Sequence, residues 1–330
     1  MDGAGCEGGR EGRVGRMLRR YGLEPGTRWW SGRGWEAVEE WRERAKSDLY
    51  FLSTVVLGCS RFGTLPMPGP YGERGLSCNE EMCELLNGDW GGKTRALFLE
   101  PRGHFKSTIL RNYCIQRVLR DPSTTILLMG ATLQNQAMRS LVSLKKQFED
   151  NQVLRALFPE IRPMRGRWTG RQITVTRPTH RDEATVEVIG CGGEPEGGHY
   201  DLIVIDDPVT HENSKTPERQ RLLIAWIAGI EPMLNPEGRI VAAGTRYADY
   251  DWYGFVEREA SSLWNITVRP AVYDDAGAPS LDIANAHILF EEEWSRERLQ
   301  EKLVSIGHST FSCQYLNDPV PASVAEINHE

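Results

Sequence analysis

A short apolar run, Ala96-Leu97-Phe98-Leu99, is followed by Glu100-Pro101-Arg102-Gly103-His104-Phe105-Lys106-Ser107-Thr108 and then by a stretch of helical texture. Strand, tight turn, lysine plus hydroxyl residue, and helix together make the layout of a phosphate-binding loop. The turn presents backbone N–H groups to anionic oxygens, and the helix N-terminus favours negative charge. Lys106 would reach the β- and γ-phosphates of a nucleotide, and the Ser107 hydroxyl would ligate magnesium. Gly103, His104, Phe105 and Thr108 complete the candidate nucleotide-binding stretch. Aligning Lys106-Ser107 on the pattern G-x-x-x-x-G-K-[ST] puts Glu100 and Phe105 at the glycine positions. Only Gly103 is left to relieve the turn, because other residues rarely adopt positive φ. Taken alone, the stretch also reads as a strand–loop–helix junction with an incidental Lys-Ser-Thr.

A second element strengthens the chemical reading. Asp201-Leu202-Ile203-Val204-Ile205-Asp206-Asp207-Pro208 is an apolar run ending in two carboxylates. Four consecutive apolar residues suit a central strand of a parallel sheet covered on both faces. Ligands of such sheets bind at the carboxyl ends of the strands. Asp206 is then placed to hold magnesium, directly or through water, and Asp207 to orient or deprotonate an attacking water. A third element, Gly244-Thr245-Arg246, closes another apolar strand, where a hydroxyl and a guanidinium could sense a terminal phosphate.

The elements that must position these residues follow from periodicity and punctuation. Trp35 to Leu57 has helical spacing, and a short helix is expected around Val14–Tyr21. Ser60 to Gly75 is a Gly/Pro-rich connection, and Cys78 to Leu86 forms a helix capped by Ser77 or Asn79. The helix after the lysine loop spans Thr108–Leu119 and ends at Asp121-Pro122. Thr125–Gly130 is a strand, followed by a helix to about Asp150. Gln172–Thr176 and Thr185–Ile189 are strands, Glu218–Ile230 is a helix, and Arg239–Arg246 is the last strong core strand. Trp264–Val268 is a short strand, Ser295–Ile306 is an amphipathic helix, and Phe311–Asp318 leads into a polar tail. Strands alternating with helices predict an α/β fold of the P-loop NTPase type, with a central, mostly parallel sheet flanked by helices. The expected division is an N-terminal arm and helix at 1–60, an ATPase core at 61–254, and a small C-terminal lid subdomain at 255–330.

The formal net charge of −7 argues against a surface coated with positive charge. Arg162, Arg165, Arg167, Arg171 and Arg177 nevertheless make a locally basic stretch, read either as a solvated loop or as a nucleic-acid-contacting surface. The seven cysteines are scattered and are expected to be reduced thiols. There is no long apolar segment able to span a bilayer and no apolar signal-peptide core at the N-terminus. The cytoplasm is the default expectation.

Pro101–Thr108, Asp206-Asp207-Pro208, Gly244-Thr245-Arg246 and Phe311-Ser312-Cys313-Gln314-Tyr315-Leu316-Asn317-Asp318-Pro319, in this order, resemble the large terminase subunit of tailed bacteriophages. That family comprises the motors that package DNA into a procapsid. The resemblance covers roughly residues 45–320. It implies ATP and Mg2+ as cofactors, with Lys106 and Ser107 on phosphate and magnesium and Asp206 as the acidic magnesium residue. Asp207 stands where many terminases have a catalytic glutamate, one methylene longer. Arg102 would touch phosphate in cis, Arg139 would act on a neighbouring subunit's ATP, and Thr245 would couple hydrolysis to movement. Phe105 departs from the glycine most members have.

The implied partners are double-stranded DNA, the portal protein and procapsid, the small terminase subunit, and further copies of the chain in a pentameric ring. The implied location is the host cytoplasm, transiently at the portal, and not the mature virion. Large terminase subunits normally continue into an RNase H-like nuclease domain, and this chain stops at Glu330. Glu291, Glu292 and Glu293 are adjacent, unlike a two-metal nuclease cluster, and read as a solvated charge run. Motor activity without nuclease activity is therefore expected. A helicase-like ATPase and a non-catalytic phage assembly protein with a degenerate loop are the alternatives.

Overall fold

The computed structural model describes residues 35–193 and 197–319. The helix expected around Val14–Tyr21 lies outside the described residues. In chain order the elements are α1 (Trp35–Ser47), α2 (Leu49–Phe51), α3 (Cys78–Asn87), β1 (Arg95–Leu99), α4 (Lys106–Arg120), β2 (Ile126–Gly130), α5 (Met138–Asp150) and α6 (Gln152–Leu157). There follow β3 (Pro163–Trp168), β4 (Gln172–Val175), β5 (Val186–Gly190), β6 (Tyr200–Asp206), α7 (Pro217–Ile230), β7 (Leu234–Gly244) and α8 (Trp252–Glu259). The chain closes with β8 (Trp264–Val268), the two-residue strands β9 (Val272–Tyr273) and β10 (His287–Ile288), α9 (Arg296–Ile306) and α10 (His308–Leu316).

Eight strands form one sheet in the order β3-β4-β5-β2-β6-β7-β1-β8. The six from β5 to β8 run parallel, and β3 and β4 add an antiparallel edge. The apolar runs divide between two faces, as a period of two requires. Ala96, Phe98, Leu128, Val204 and Val241 pack with the helices around Trp41, Leu86, Tyr113 and Leu144. Their neighbours Leu97, Leu99, Met129, Ile203, Ile205 and Ala242 pack on the opposite face with Leu223, Ile227, Trp252 and Val256. Each fully buried aliphatic side chain is worth about 1.5–3 kcal/mol, so cover on both faces fixes the register firmly.

β7 lies between β1 and β6, with Leu99 opposite Gly244 and Asp206 opposite Ala243. The ends of the three strands that carry the sequence motifs therefore converge at one edge of the sheet. Ser77 caps α3 by accepting from the Glu80 N–H at 3.3 Å. The neighbouring Asn79 instead donates to the His104 carbonyl at 2.9 Å, reaching the lysine loop.

Two segments differ from expectation. Trp264–Val268, read as part of a C-terminal subdomain, joins the main sheet as β8, parallel to β1 with Leu99 opposite Val268. Phe311–Asp318, read as leading to a polar tail, lies largely in helix α10, where Phe311 and Tyr315 stack with centroids 5.0 Å apart. The residues after β8 bury Val272, Ile288, Leu299, Leu303, Phe311 and Tyr315 together. Glu292 and Glu293 are bound rather than merely solvated. Glu292 accepts from the Thr64 N–H at 2.6 Å and from the Leu65 N–H at 3.0 Å, and Glu293 pairs with Arg61.

Candidate nucleotide site

The lysine loop leaves β1 at Glu100 and enters α4 at Lys106. Phe105 is the N-cap residue and has φ 65°, a left-handed conformation usually left to glycine. Gly103 also has positive φ, 83°, and a Cβ there would lie 2.6 Å from the Trp294 ring. Two residues, one of them aromatic, thus make the turn that the sequence left to Gly103. The Phe105 ring is held by Phe62, with centroids 5.7 Å apart, by Phe290 at 6.1 Å, and beneath the Arg61 guanidinium at 5.2 Å. Packing of this kind over-determines a strained backbone.

The backbone N–H groups of Gly103, Phe105, Lys106 and Ser107 donate to no acceptor among the described residues. They form a donor set at the start of a long helix, the arrangement that binds phosphate. Lys106 is 5% exposed. Its Nζ donates to Thr245 Oγ1 at 2.7 Å and lies 3.4 Å from Asp207 Oδ2. Ser107 Oγ donates to Asp206 Oδ1 at 2.6 Å. Burial, reinforced by the charge of Asp207, raises the Asp206 carboxyl to about 6. Asp207 has φ 48°, its N–H donates to the Ala243 carbonyl at 2.8 Å, and its buried Oδ1 accepts no hydrogen bond from the described residues.

These groups fit a magnesium–nucleotide. A buried ammonium faces the strand ends, a hydroxyl and a carboxylate oxygen already lie within a shared coordination distance, and an orphaned carboxylate oxygen stands beside them. Magnesium favours such a small set of oxygens completed by water and phosphate.

Lys106, Ser107, Asp206, Asp207 and Thr245 are therefore brought together as expected. Thr108 lies one turn into α4, where its Oγ1 accepts from Arg111 at 3.0 Å. Arg102 is directed elsewhere: its Nη1 donates to Gln314 Oε1 at 3.1 Å and to the Tyr247 hydroxyl at 3.4 Å. Arg139 is exposed on α5 and makes no hydrogen bond or ion pair with the described residues. Arg246, expected to sense phosphate, is instead held in a buried pair in which its Nε donates to both Asp251 carboxylate oxygens, at 3.0 and 3.2 Å, while its Nη1 donates to Glu257 at 2.5 Å.

His104 is buried between Phe290 and Trp294, stacked on Trp294 with 4° between the planes. Burial lowers its imidazole to about 3, and its Nε2 has no partner among the described residues. It is thus a neutral packing group whose N–H or lone pair faces inward.

The roles of four residues, Gln136, Glu100, Gln314 and Asn317, escape sequence reasoning. Gln136 lies in a π-helical turn, Leu133–Ala137. Its amide accepts from the Ala131 N–H at 2.9 Å and donates to the Asp206 carbonyl at 2.7 Å, tying β2 to the acidic strand end. Glu100 is buried, and desolvation raises its carboxyl to about 8. Gln314 and Asn317 clasp the site from α10. The Arg102 N–H donates to the Gln314 carbonyl at 3.0 Å, and Asn317 Oδ1 accepts from the Arg246 N–H at 3.2 Å. The only signal for this last pair was the Gln-Tyr-x-Asn segment itself. Phe105, Asp207 and Asn317 are the three non-glycine residues with positive φ among those described. All three border this site.

A parallel α/β sheet with a strand inserted between the lysine-loop strand and the acidic strand, and with Lys106-Ser107 against Asp206-Asp207, defines a P-loop NTPase fold. Within that class the chain resembles the ATPase domains of large terminase subunits in both sequence and structure.

It is 23% identical to the large terminase subunit of Enterobacteria phage T3 over 277 residues, covering 77% of this chain and 44% of that protein. Its fold matches the crystal structure of the bacteriophage HK97 large terminase with TM-score 0.54 and 16% identity, over 87% of this chain and 59% of that one. The large terminase ATPase domain of Thermus phage P74-26 aligns with TM-score 0.47 and 16% identity, over 69% of this chain and 90% of that one. The chain thus spans less than half the length of the T3 protein. No protein-family model matches it. Among the described residues no helix is long and apolar enough to cross a membrane, and no cluster of metal-ligating His, Cys, Asp or Glu occurs.

Proposed function

We propose that the chain is the ATPase part of a large terminase, a motor that hydrolyses ATP to move double-stranded viral DNA into a procapsid. The observation that carries this reading is the convergence of Lys106, Thr245 and Asp207 beside the Ser107–Asp206 pair. The free backbone N–H groups of Gly103, Phe105, Lys106 and Ser107 cradle the phosphates, and Lys106 offsets charge on the transferring phosphoryl group. Ser107 and Asp206 would hold a magnesium ion, which when bound supplies positive charge to the phosphate oxygens. Asp207 orients the attacking water, its free Oδ1 being the acceptor. Thr245 exchanges its bond to Lys106 for contact with the terminal phosphate, and that change passes to the adjacent Arg246 and, through its N–H, to Asn317. Residues after β8 act as the lid that responds.

Arg139, exposed and without an ion-pair partner among the described residues, supplies a cation to a neighbouring copy in a ring, so the isolated chain turns over slowly. The portal protein, the small terminase subunit and duplex DNA are the partners of this reading, and the host cytoplasm is where it works. The test is ATP turnover with portal-bearing procapsids and duplex DNA compared with forked DNA. Stimulation and uptake with procapsids support packaging; unwinding of the fork without uptake assigns the chain to the helicases instead.

A further inference from the structure

The segment from Ile161 to Arg181 holds six arginines and no Asp or Glu, in a chain whose net charge is −7. It forms the β3–β4 hairpin at one edge of the sheet, four strands from β6 and so roughly 20 Å from the nucleotide site. Arg162, Arg165 and Arg171 are exposed. Among the described residues Arg162, Arg165, Arg167, Arg171 and Arg177 form no salt bridge; only Arg181 reaches a carboxylate, Asp201, at 3.6 Å. Arg167 and Arg177 both donate to the Arg181 carbonyl, which draws like charges together. Burial and the neighbouring guanidiniums of Arg167 and Arg181 push Arg177 below the usual arginine value, and its buried Nη1 has no partner among the described residues.

A charged edge strand also resists pairing with other chains, but one or two charges suffice for that. Crowded guanidiniums that outnumber the carboxylates beside them, Glu149, Glu183 and Asp201, form instead a surface short of counter-charge. Beside the hairpin runs a groove of about 800 Å³ lined by three arginines, Arg155, Arg162 and Arg165, one carboxylate, Glu149, and the apolar Phe148 and Phe158. On its flank Lys145 of α5 lies over the Trp168 ring at 5.7 Å.

We infer that the β3–β4 hairpin and this groove grip the phosphate backbone of duplex DNA. The inference rests on the packaging reading for the identity of the polyanion, and it locates the grip on the sheet edge rather than on the segment after β8. Guanidiniums on an extended hairpin match phosphates spaced along a strand, and contacts of this kind are independent of sequence. Through β5, β2 and the Gln136 bridge the hairpin is joined to Asp206, which gives the gripped duplex a short mechanical path to the ATP site.

The test is fluorescence anisotropy of a labelled random-sequence duplex with the full chain between 50 and 200 mM salt. A variant carrying Arg162→Gln, Arg165→Gln and Arg171→Gln is compared with one carrying lysine at the same positions. We expect the glutamine variant to bind at least tenfold more weakly, with a log–log salt slope shallower by roughly two to three, and the lysine variant to retain most of the affinity. Unchanged affinity and slope in the glutamine variant overturn the inference. So does displacement by polyglutamate as effective as displacement by unlabelled duplex. Lys106→Ala is expected to bind duplex like the unmodified chain, so failure of the ATPase reading and failure of the grip are seen in separate measurements.

Discussion

Lys106 Nζ donates to Thr245 Oγ1 at 2.7 Å, joining the phosphate loop after β1 to the end of β7. The ammonium is almost fully buried, and Asp207 Oδ2, at 3.4 Å, is its salt-bridge partner among the described residues. A hydrogen bond to a charged group is worth about 1.5–3 kcal/mol. Thr245→Val should destabilise the nucleotide-free protein by about 2 kcal/mol in urea unfolding, whereas Thr245→Ser should recover most of the loss. Equal stability of the valine variant would show that Thr245 does not hold the lysine.

At position 105 the backbone and the ring make opposite demands. Left-handed φ costs a non-glycine residue about 1–2 kcal/mol, and the Phe105 ring recovers this against Phe62, Phe290 and Arg61. Once the ring is removed, only the backbone cost remains. Phe105→Gly should therefore be more stable than Phe105→Ala by about 1 kcal/mol, with both below the natural protein. Denaturant midpoints of the three chains decide this.

Glu100 offers a test by pH. Burial raises its folded value to about 8 from an ordinary 4.5. The folded state thus binds the proton more tightly than the unfolded state, and the group favours folding most at low pH. Its contribution is lost as pH rises from the unfolded value toward 8, with a slope of about 1.4 kcal/mol per pH unit. Glu100→Gln keeps the neutral shape and removes the titration. The glutamine variant should match the natural chain near pH 4 and gain relative stability up to pH 8, measured by urea titration without magnesium. Parallel stability curves would contradict the burial argument.

Arg246 and Asp251 are buried together, and Asp251 also accepts from the N–H groups of Tyr247 at 2.9 Å and Gly254 at 2.9 Å. Arg246→Ala would strand a buried carboxylate and should cost about 3 kcal/mol or more. If Arg246 were a phosphate sensor, the variant would fold normally and lose nucleotide response alone. Thermal unfolding separates the two outcomes.

The lysine loop, the acidic strand and Thr245 were legible because each couples an apolar strand to a polar end, a pattern local in sequence. Their convergence followed from the parallel sheet. Phe105 was legible only as a departure: nothing local tells that Phe62 and Phe290, far away in the chain, stabilise its left-handed turn. Gln136 was hidden because a π-turn breaks helical spacing at the residues that carry the contact. Arg246 was misread because its partners, Asp251 at the N-cap of α8 and Glu257 within it, lie beyond the strand end that suggested a sensor. The helix at His308–Leu316 was missed because Phe311, Cys313, Tyr315 and Leu316 are buried on several sides and leave no clean apolar stripe. The β8 strand was seen, but its pairing with β1 is a long-range choice that five residues do not reveal.

The most direct test of the central claim is magnesium-dependent phosphate release from ATP by the purified chain, alongside Lys106→Ala and Asp207→Ala. The account predicts measurable turnover, lost by roughly a hundredfold or more in both variants, because one loses the charge that offsets the phosphoryl group and the other loses the water-orienting carboxylate. Turnover that persists in both variants, or a natural chain that neither binds nor hydrolyses ATP, would contradict it.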